Sequence, residues 1–301
     1  MISIEPSGKI LGATVHGVDL SKPLGDGDFG RILSALCRHG VIRFPNQSPT
    51  PAQHVAFMER FGEIHGLPDF VEPGCPGLNI VSNIVENGRN IGHVDAGMIW
   101  HKDMTYEPVA GFATALYAVK VPRRDGRPLG NTQFVNVQAA TDDLPADVLR
   151  KLDGAIGLHS VEKYSGIVRQ AGSKRVDYKE LPADRKKPIR AHPMLLVHPV
   201  TGKTVLYCDP NHVESIYGFD DAESEEMLRF LAEHQLQAKY HYSFEWTEGD
   251  MLMWDNFGTL HSATLDYGPD EPRLLTRSQA MSNKVRNRAF VKAALAAAGA
   301  A

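Results

Sequence analysis

The stretch Met251-Leu252-Met253-Trp254 is an apolar strand signal that runs directly into the polar pair Asp255-Asn256. Three further runs of the same kind lie earlier in the chain: Ala115–Val119, Leu195–His198 and Val205–Tyr207. Turn residues separate these runs, and no regular alternation of strands with helices connects them. Many short strands in one long chain favour two sheets packed as a jelly roll. We therefore predict a mainly β protein with flanking helices, a double-stranded β-helix (jelly roll).

Helix signals are concentrated near the N-terminus. A helix is predicted from about Asp28 to His39, with Gly40 ending it. A second helix should start at Thr50, because a Thr–Pro start with Gln53 three residues later is a capping-box pattern. A third is expected from about Ala222 to His234. Its inward face is predicted from three apolar side chains: Met227, Phe230 and Leu231.

No internal repeat or long low-complexity linker divides the 301 residues. We predict one domain over residues 1–301. Its helix-rich N-terminal part covers about residues 1–62, the jelly-roll core about 63–282, and a C-terminal tail 283–301. The Ala- and Gly-rich segment from Ala293 to Ala301 is expected to fray.

Composition excludes several classes of function. The formal net charge of -4 and the pI of about 6.3 argue against a nucleic-acid-binding protein. Three widely spaced cysteines argue against a disulfide framework and for a reducing cytoplasm. The first residues lack the basic and apolar regions of a signal peptide, and no apolar run reaches the length of a membrane span. We expect a cytoplasmic protein that binds neither nucleic acid nor membrane.

Two distant parts of the chain carry side chains that suit one metal ion. His101 and Asp103 form an H-x-D pair, and His261 follows the strand signal that ends at Asp255-Asn256. Two imidazoles and one carboxylate can occupy one face of an octahedral ion and leave the other face open. Fe(II) oxygenases use this set so that a co-substrate and O2 can bind the same ion. Each residue alone is a weak indication of a metal site, but their combined order along the chain is a strong one.

An arginine twelve residues beyond His261 indicates the co-substrate. The guanidinium of Arg273 can hold a carboxylate bidentately, and 2-oxoglutarate carries a carboxylate at the end remote from the metal. The same two His and one Asp could instead bind zinc in a hydrolase, with a water as the fourth ligand. That alternative requires a carboxylate general base nearby and gives no role to Arg273.

Several motifs resemble the taurine dioxygenase and 2,4-dichlorophenoxyacetate dioxygenase family of Fe(II)/2-oxoglutarate oxygenases. The resemblance runs from about Ile10 to Ala280. The matching stretches include Gly17-Val18-Asp19-Leu20, Gly40-Val41-Ile42-Arg43-Phe44, Phe61-Gly62-Glu63-Ile64-His65, His198-Pro199 and Trp254-Asp255-Asn256. The resemblance implies oxidative decarboxylation of 2-oxoglutarate to succinate and CO2, coupled to oxidation of a small molecule, in a dimer or tetramer.

The resemblance also assigns roles to residues. It implies that His101, Asp103 and His261 are the iron ligands, and that Thr132 helps Arg273 to hold the far carboxylate of 2-oxoglutarate. Arg277 falls where relatives bind an acidic substrate group, which implies a carboxylate or sulfonate substrate. Trp100 and Trp254 are interpreted as packing residues, and Lys102 receives no role.

Two positions depart from the pattern of taurine dioxygenase. Leu67 and Gly97 stand where that enzyme places a His and an Asn near its substrate, which makes taurine itself an unsuitable substrate. A catalytically idle member of the family is a further alternative. Such a protein would be expected to lack a metal ligand or Arg273, and this sequence retains all of them.

Overall fold

The computed structural model describes residues 2–299. Within them the backbone forms seven α-helices and three short 3-10 helices at Tyr178–Glu180, Ala183–Arg185 and Ala238–Tyr240. The α-helices are α1 (Asp26–His39), α2 (Pro51–Glu59), α3 (Val137–Asp142), α4 (Ala146–Leu152), α5 (Val161–Gln170), α6 (Asp221–Gln235) and α7 (Arg288–Ala297).

Strands make up most of the remaining regular structure. The first ten are β1 (Ser3–Pro6), β2 (Ala13–His16), β3 (Val41–Phe44), β4 (Val71–Glu72), β5 (Cys75–Ser82), β6 (Val85–Glu86), β7 (Arg89–Asn90), β8 (Gly111–Lys120), β9 (Arg123–Arg124) and β10 (Arg127–Pro128). The others are β11 (Thr132–Asn136), β12 (Ile156–His159), β13 (Arg190–Pro193), β14 (Leu195–Val197), β15 (Thr204–Leu206), β16 (Val213–Tyr217), β17 (His241–Phe244), β18 (Met251–Asp255), β19 (Thr259–Ala263) and β20 (Leu274–Met281). The fold is thus mostly strand with flanking helices, as predicted.

An eight-stranded sheet is the largest unit, in the order β1-β2-β3-β18-β8-β20-β5-β4. The strand signal at 251–254 is β18, near the middle of this sheet, and it pairs antiparallel with both β3 and β8. The N-terminal part, predicted to be helix-rich, also supplies β1, β2 and β3. The sheet is therefore continuous from the N-terminal part into the predicted core.

A three-stranded sheet, β17-β11-β19, packs against one face of the large sheet. The apolar layer between the two contains Leu116, Leu252 and Trp254 from the large sheet and Phe134 and Phe244 from the small one. Alternate residues of a strand point to opposite faces, so every second residue of β8, β18 and β20 points into this gap. These inward positions include the functional side chains described below.

Helices α1, α2 and α7 belong to the apolar core on the opposite face of the large sheet. Helix α2 begins as predicted, because Thr50 accepts from the backbone N–H of Gln53 while the Gln53 side chain accepts from the N–H of Thr50. A reciprocal cap of this kind contributes on the order of 1 kcal/mol. The preceding helix α1 ends at Gly40, whose φ of 68° is the left-handed conformation that glycine adopts most easily.

Two local expectations were wrong. The segment predicted to fray contains the second half of α7, a helix that buries Val291 and Ala294 and packs on α1; residues 300 and 301 lie outside the described residues. In α6, Leu231 is buried but Phe230 is 37% exposed, so Phe230 does not point inward as predicted. Helical periodicity alone did not fix the rotation of α6 on its neighbours.

All three cysteines are free thiols, as the sequence analysis predicted. Among residues 2–299, no helix combines the length and the apolar character needed to cross a membrane.

Candidate metal centre

His101 and His261 are brought together by their own backbones. The N–H of His101 donates to the carbonyl of His261 at 3.0 Å, and the N–H of His261 donates to the carbonyl of His101 at 2.9 Å. This is a hydrogen-bonded antiparallel pair between β19 and the H-x-D segment. Paired residues carry their side chains on the same face of a sheet, so the two imidazoles project into the same space.

Asp103 completes the group. Its Oδ1 lies 3.6 Å from Nε2 of His101, and its Oδ2 lies 3.7 Å from Nε2 of His261. One ligand atom from each residue lies within 4.8 Å of the others, and each residue is 6% exposed. The three predicted ligands therefore form one buried cluster at the edge of the gap between the two sheets.

Neighbouring groups orient both imidazoles. Nδ1 of His101 lies 2.8 Å from the carbonyl of Ile99, and a carbonyl can only accept, so this nitrogen carries the proton and Nε2 is free to bind a metal. The His261 ring packs against Trp254, with ring centroids 4.7 Å apart, and stacks on Phe134 at 6.2 Å. Trp254 is thus a packing residue beside the site, as predicted.

A chain of hydrogen bonds holds Asp103. The hydroxyl of Thr114 donates to Asp103 Oδ2 at 2.6 Å and accepts from the side-chain amide of Asn256 at 3.0 Å. The carbonyl oxygen of Asn256 in turn accepts from the indole N–H of Trp254 at 3.1 Å. The Trp–Asp–Asn motif at the end of β18 therefore supports the carboxylate through Thr114 on the neighbouring strand.

Lys102, inside the H-x-D motif, turns away from the ligands and is fully buried. Its ammonium donates to the carbonyls of Asn256, Phe257 and Thr259 at 3.3, 2.9 and 3.0 Å. The first two carbonyls lie in the turn that joins β18 to β19, and the third belongs to the first residue of β19, the strand that carries His261. Lys102 therefore connects the two ligand-bearing segments, and the sequence analysis missed this role.

The side chain of Asp255 stabilises the same turn by hydrogen bonds to its backbone. Its carboxylate accepts from the backbone N–H groups of Phe257 at 2.9 Å and Gly258 at 3.1 Å. Nε2 of His198 donates to the same carboxylate at 2.9 Å, and both side chains are buried. The His198-Pro199 motif is therefore connected to the metal centre through the turn that positions His261.

The backbone on both sides of His101 is anchored by side chains from residues 209–212. The buried carboxylate of Asp209 accepts from the backbone N–H of Lys102 at 2.7 Å and from the Nδ1–H of His212 at 2.8 Å. The side-chain amide of Asn211 donates to the carbonyl of Trp100 at 2.6 Å. The H-x-D backbone is thus fixed on both sides of His101.

Electrostatics hold His261 neutral and Asp103 ionised, the states in which both residues bind a metal. Burial, reinforced by His101, lowers the pKa of His261 to about 3. For Asp103, burial alone would raise the pKa, but the two imidazoles outweigh it and lower the pKa well below its usual range. Burial also opposes charging of His101, yet the Asp103 carboxylate raises its pKa overall. An ionised carboxylate between two imidazoles fits a divalent cation.

Arg273 lies immediately before β20 and is 3% exposed. Within residues 2–299 no carboxylate lies within ion-pair distance of its guanidinium; its nearest aromatic neighbour is Tyr267, 5.6 Å from the ring centroid. A Cβ added to Gly130 would lie 3.0 Å from its Nε, so Gly130 makes room for the guanidinium. Thr132, two residues further, is buried and its hydroxyl accepts from Trp246 at 3.0 Å.

Arg277 stands on β20 and lines the pocket above His101 and Asp103. Its Nε is buried and has no hydrogen-bond partner, and no carboxylate of the described residues pairs with it. Arg277 lies four residues after Arg273 in extended chain, a distance of roughly 13 Å. The two guanidinium groups therefore start from well-separated points on the same face, which suits two different anions.

Aromatic side chains form one wall of the pocket. The rings of Tyr164 and His212 stack at 4.3 Å, and Tyr106 stacks on His212 at 5.6 Å. Tyr164 comes from α5, and Arg175, which follows α5 and also lines the pocket, pairs with Asp95 at 2.8 Å. Leu67, one of the two positions that depart from taurine dioxygenase, lines the pocket, but polar residues dominate the lining.

Comparison with known proteins agrees with this geometry. The family model for the taurine catabolism dioxygenase TauD, TfdA family matches residues 3–279. The chain is 31% identical over 284 residues to pentalenolactone F synthase of Streptomyces avermitilis, covering 90% of each chain. It is 32% identical over 276 residues to the (S)-phenoxypropionate/alpha-ketoglutarate-dioxygenase of Delftia acidovorans, covering 87% of this chain and 89% of that one.

Among solved structures, a taurine dioxygenase from Burkholderia xenovorans is 31% identical with a TM-score of 0.72, covering 93% of this chain and 90% of that one. Fold and site together define a 2-oxoglutarate-dependent dioxygenase that uses Fe(II) and O2. The chain belongs to the TauD, TfdA family, as its sequence motifs predicted.

Proposed function

We propose that this protein oxidises a small anionic organic molecule, by hydroxylation or a related reaction, with release of succinate and CO2 from 2-oxoglutarate. The architecture that we propose for it is the jelly roll, which the packing of the three-stranded sheet on the large sheet supports. The observation that carries the proposal is the buried group of His101, Asp103 and His261 beside a pocket lined by Arg277, together with the buried Arg273, with which no carboxylate of the described residues pairs.

We assign Fe(II) to His101, Asp103 and His261. Three protein ligands on one side of an ion leave the positions toward the pocket free for exchangeable ligands. The fixed tautomer of His101 and the hydrogen bond from Thr114 to Asp103 support this role, since metal ligands are oriented by groups behind them.

The far carboxylate of 2-oxoglutarate is assigned to Arg273 and Thr132. A buried guanidinium without an ion-pair partner is costly, and a bound dicarboxylate would supply that partner. A guanidinium also matches a carboxylate bidentately. The keto acid end of the molecule would then point from Arg273 toward the metal ligands.

Arg277 is assigned to the anionic group of the substrate, a carboxylate or sulfonate. Its unpartnered Nε faces a pocket whose sole carboxylate among the described lining residues is the metal ligand Asp103. The relative from Delftia acidovorans is named for phenoxypropionate, which is also a carboxylate. Taurine remains an unsuitable substrate, because Leu67 and Gly97 line the pocket and carry no polar side chain.

When bound, Fe(II) supplies the redox chemistry that couples decarboxylation of 2-oxoglutarate to oxidation of a C–H bond. The protein's own residues provide position. Arg273 and Arg277 fix the two small molecules at their charged ends, so that the reacting atoms meet repeatedly in one geometry. Tyr164 and Arg175 line the pocket, and we assign to them the exclusion of water from the centre once both small molecules are bound.

The zinc hydrolase alternative finds little support. It requires a carboxylate general base near the metal-bound water, and Asp103 is already a ligand. An idle family member is also disfavoured, since the ligand cluster and Arg273 are intact and buried. Assembly into a dimer or tetramer stays a prediction.

The test is an anaerobic titration of metal-free protein with Fe(II) and then 2-oxoglutarate, followed in the visible spectrum. We expect a weak charge-transfer band that requires both additions. Bound acids should shift it, and an Arg277→Leu variant should lose the shift while keeping the band. If iron binds without producing the band, the assignment of 2-oxoglutarate to Arg273 is wrong; if no acid shifts it, the anion site is wrong.

A further inference from the structure

The side-chain amide of Gln279 is buried and has no hydrogen-bond partner within the described residues. It lies on β20, two residues after Arg277, and only 2% of it is exposed. Neither its Nε2 nor its Oε1 has a hydrogen-bond partner among residues 2–299, although the side chain lines the pocket above the metal ligands. A buried donor and acceptor left unpaired carry the full penalty of desolvation. The natural partner of such a group in a binding pocket is the ligand.

Strand register places this amide close to the metal centre. Gln279 lies directly opposite Thr114 in the pairing of β20 with β8, so the two side chains stand next to each other on the same face. Thr114 is the residue whose hydroxyl donates to the metal ligand Asp103 at 2.6 Å. Arg277 lies opposite Leu116, roughly 6–7 Å further along the strand.

On the basis of the proposed function, we propose that Gln279 binds a neutral hydrogen-bonding group of the substrate, a hydroxyl or an amide N–H. This group would lie between the anion held by Arg277 and the carbon to be oxidised. Gln279 is then a specificity-determining residue that selects acids carrying such a group over plain alkyl or aryl acids.

An anion and a cation are both unsuitable partners for the Gln279 amide. A bare anion could accept from Nε2 but would repel Oε1, so the partner must also donate. A cationic donor is excluded by its surroundings. Arg277 stands on the same strand face, and Asp95, next to the lining residue Ala96, is already bound by Arg175 and Ser173. A neutral group that both donates and accepts satisfies Gln279 without adding charge.

The experiment compares matched acids that differ only in the donor. The probes are the N-acetyl derivatives of leucine, phenylalanine and alanine, each paired with the acetate ester of the corresponding 2-hydroxy acid, in which oxygen replaces N–H. Affinity is read anaerobically from the shift of the charge-transfer band of the protein loaded with Fe(II) and 2-oxoglutarate. The proteins are the wild type, Gln279→Leu and the longer, unbranched Gln279→Met.

In the wild type we expect at least one amide to bind about tenfold or more tightly than its ester, the size of effect caused by leaving one buried polar group unpaired. In both variants the ratio should fall to about one, with the band itself retained. Equal binding of every amide and ester by the wild type, or a preference that survives in the variants, would overturn the proposal.

The outcome is separable from failure of the proposed function. If the band does not form in the wild type, the assignment of Fe(II) and 2-oxoglutarate is wrong, and the proposal for Gln279 fails with it. If the band forms but no acid shifts it, anion binding at Arg277 is wrong and the proposal is again overturned. If plain acids such as hexanoate bind more tightly than every amide, Arg277 stands and only the role of Gln279 is lost.

Discussion

His101 and His261 exchange both of their backbone hydrogen bonds, at 3.0 and 2.9 Å, although they lie in distant parts of the chain. The separation of the two imidazoles is therefore set by sheet pairing and not by side-chain rotamers alone. A metal ion bound here would add to a geometry that the backbone already defines, which is the condition for a precise catalytic site.

Asp103 should depend strongly on the hydroxyl of Thr114. Replacing Thr114 with Val keeps the shape of the side chain but removes the hydrogen bond to Oδ2 of Asp103. Since groups behind a metal ligand typically contribute one to two orders of magnitude, we expect about 10- to 100-fold weaker metal binding. Titration with Mn(II) followed by electron paramagnetic resonance measures this directly.

The matched control is Thr276→Val. Thr276 is also buried, but its hydroxyl faces His54 on the opposite side of the large sheet, at 3.3 Å from Nδ1. This variant should keep the wild-type affinity for Mn(II). Equal losses in the two variants would mean that general weakening of the sheet, and not support of Asp103, explains the effect.

The cluster of His101, Asp103 and His261 could be predicted from sequence because the residue types and their order are specific to one kind of metal chemistry. The residues that support this cluster from behind could not be predicted in this way. Thr114 sits in an apolar strand and becomes functional only because β8 pairs with β18 and β20, and that register is a property of the folded sheet. Gln279 was missed for the same reason.

Lys102 and Phe230 illustrate two other limits of prediction from the sequence. A lysine next to two metal ligands is usually solvent-exposed, and its burial depends on the turn at 256–259, which no local pattern shows. Phe230 was placed inward by helical spacing, but α6 lies at the surface and turns a narrower stripe to the core. Residue type and order predicted the His–Asp–His cluster, whereas the burial of Lys102 and the exposure of Phe230 depend on neighbouring elements.

Arg273 should control the affinity for 2-oxoglutarate and not that for smaller keto acids. In an Arg273→Gln variant the far carboxylate loses its charged partner, at a cost of about 1.5–3 kcal/mol, or roughly 10- to 100-fold in affinity. Pyruvate lacks that carboxylate, so its weak binding should change little. Anaerobic titration of both keto acids into the Fe(II)-loaded variant gives the two dissociation constants.

Arg124→Gln is the control for this prediction. Arg124 is a nearby exposed arginine, and it already pairs with Glu271 at 2.6 Å, so it is not available to a ligand. We expect it to leave the affinity for 2-oxoglutarate unchanged. An Arg273→Gln variant that weakened pyruvate as much as 2-oxoglutarate would contradict the assignment of Arg273 to the far carboxylate.

Acid should destabilise the fold partly through His159. Burial, followed by the neighbouring His192, lowers the pKa of His159 to about 3 from an ordinary value of 6.5. Between these two values the unfolded chain binds a proton at this residue that the folded chain does not. Stability is therefore retained above about pH 6.5 and is lost as the pH falls toward 3.

A His159→Leu variant isolates this contribution. Neither ring nitrogen of His159 has a hydrogen-bond partner within residues 2–299, so leucine removes no hydrogen bond that the structure describes. Urea unfolding of the metal-free proteins between pH 4 and 6 should show a slope of stability against pH smaller by up to about 1.4 kcal/mol per pH unit in the variant. Parallel slopes for the two proteins in that range would show that His159 is not buried in its neutral form.

Lys102 should support both the fold and the metal site. In a Lys102→Met variant the apolar volume is largely kept, but the carbonyls of Asn256, Phe257 and Thr259 lose their shared donor inside the protein. We expect a loss of roughly 3–5 kcal/mol of unfolding free energy in the metal-free protein. Because this turn leads into β19, the strand that carries His261, metal affinity should fall as well, by about tenfold or more.

Leu152→Ala separates these two effects. Leu152 is fully buried in the other apolar core, and its truncation should cost a similar 2–5 kcal/mol without touching the turn at 256–259. Urea unfolding gives the stability of each variant, and Mn(II) titration of the folded proteins gives the affinity. Since Leu152→Ala should bind Mn(II) like the wild type, a Lys102→Met protein that did the same would show that Lys102 stabilises the fold without positioning His261.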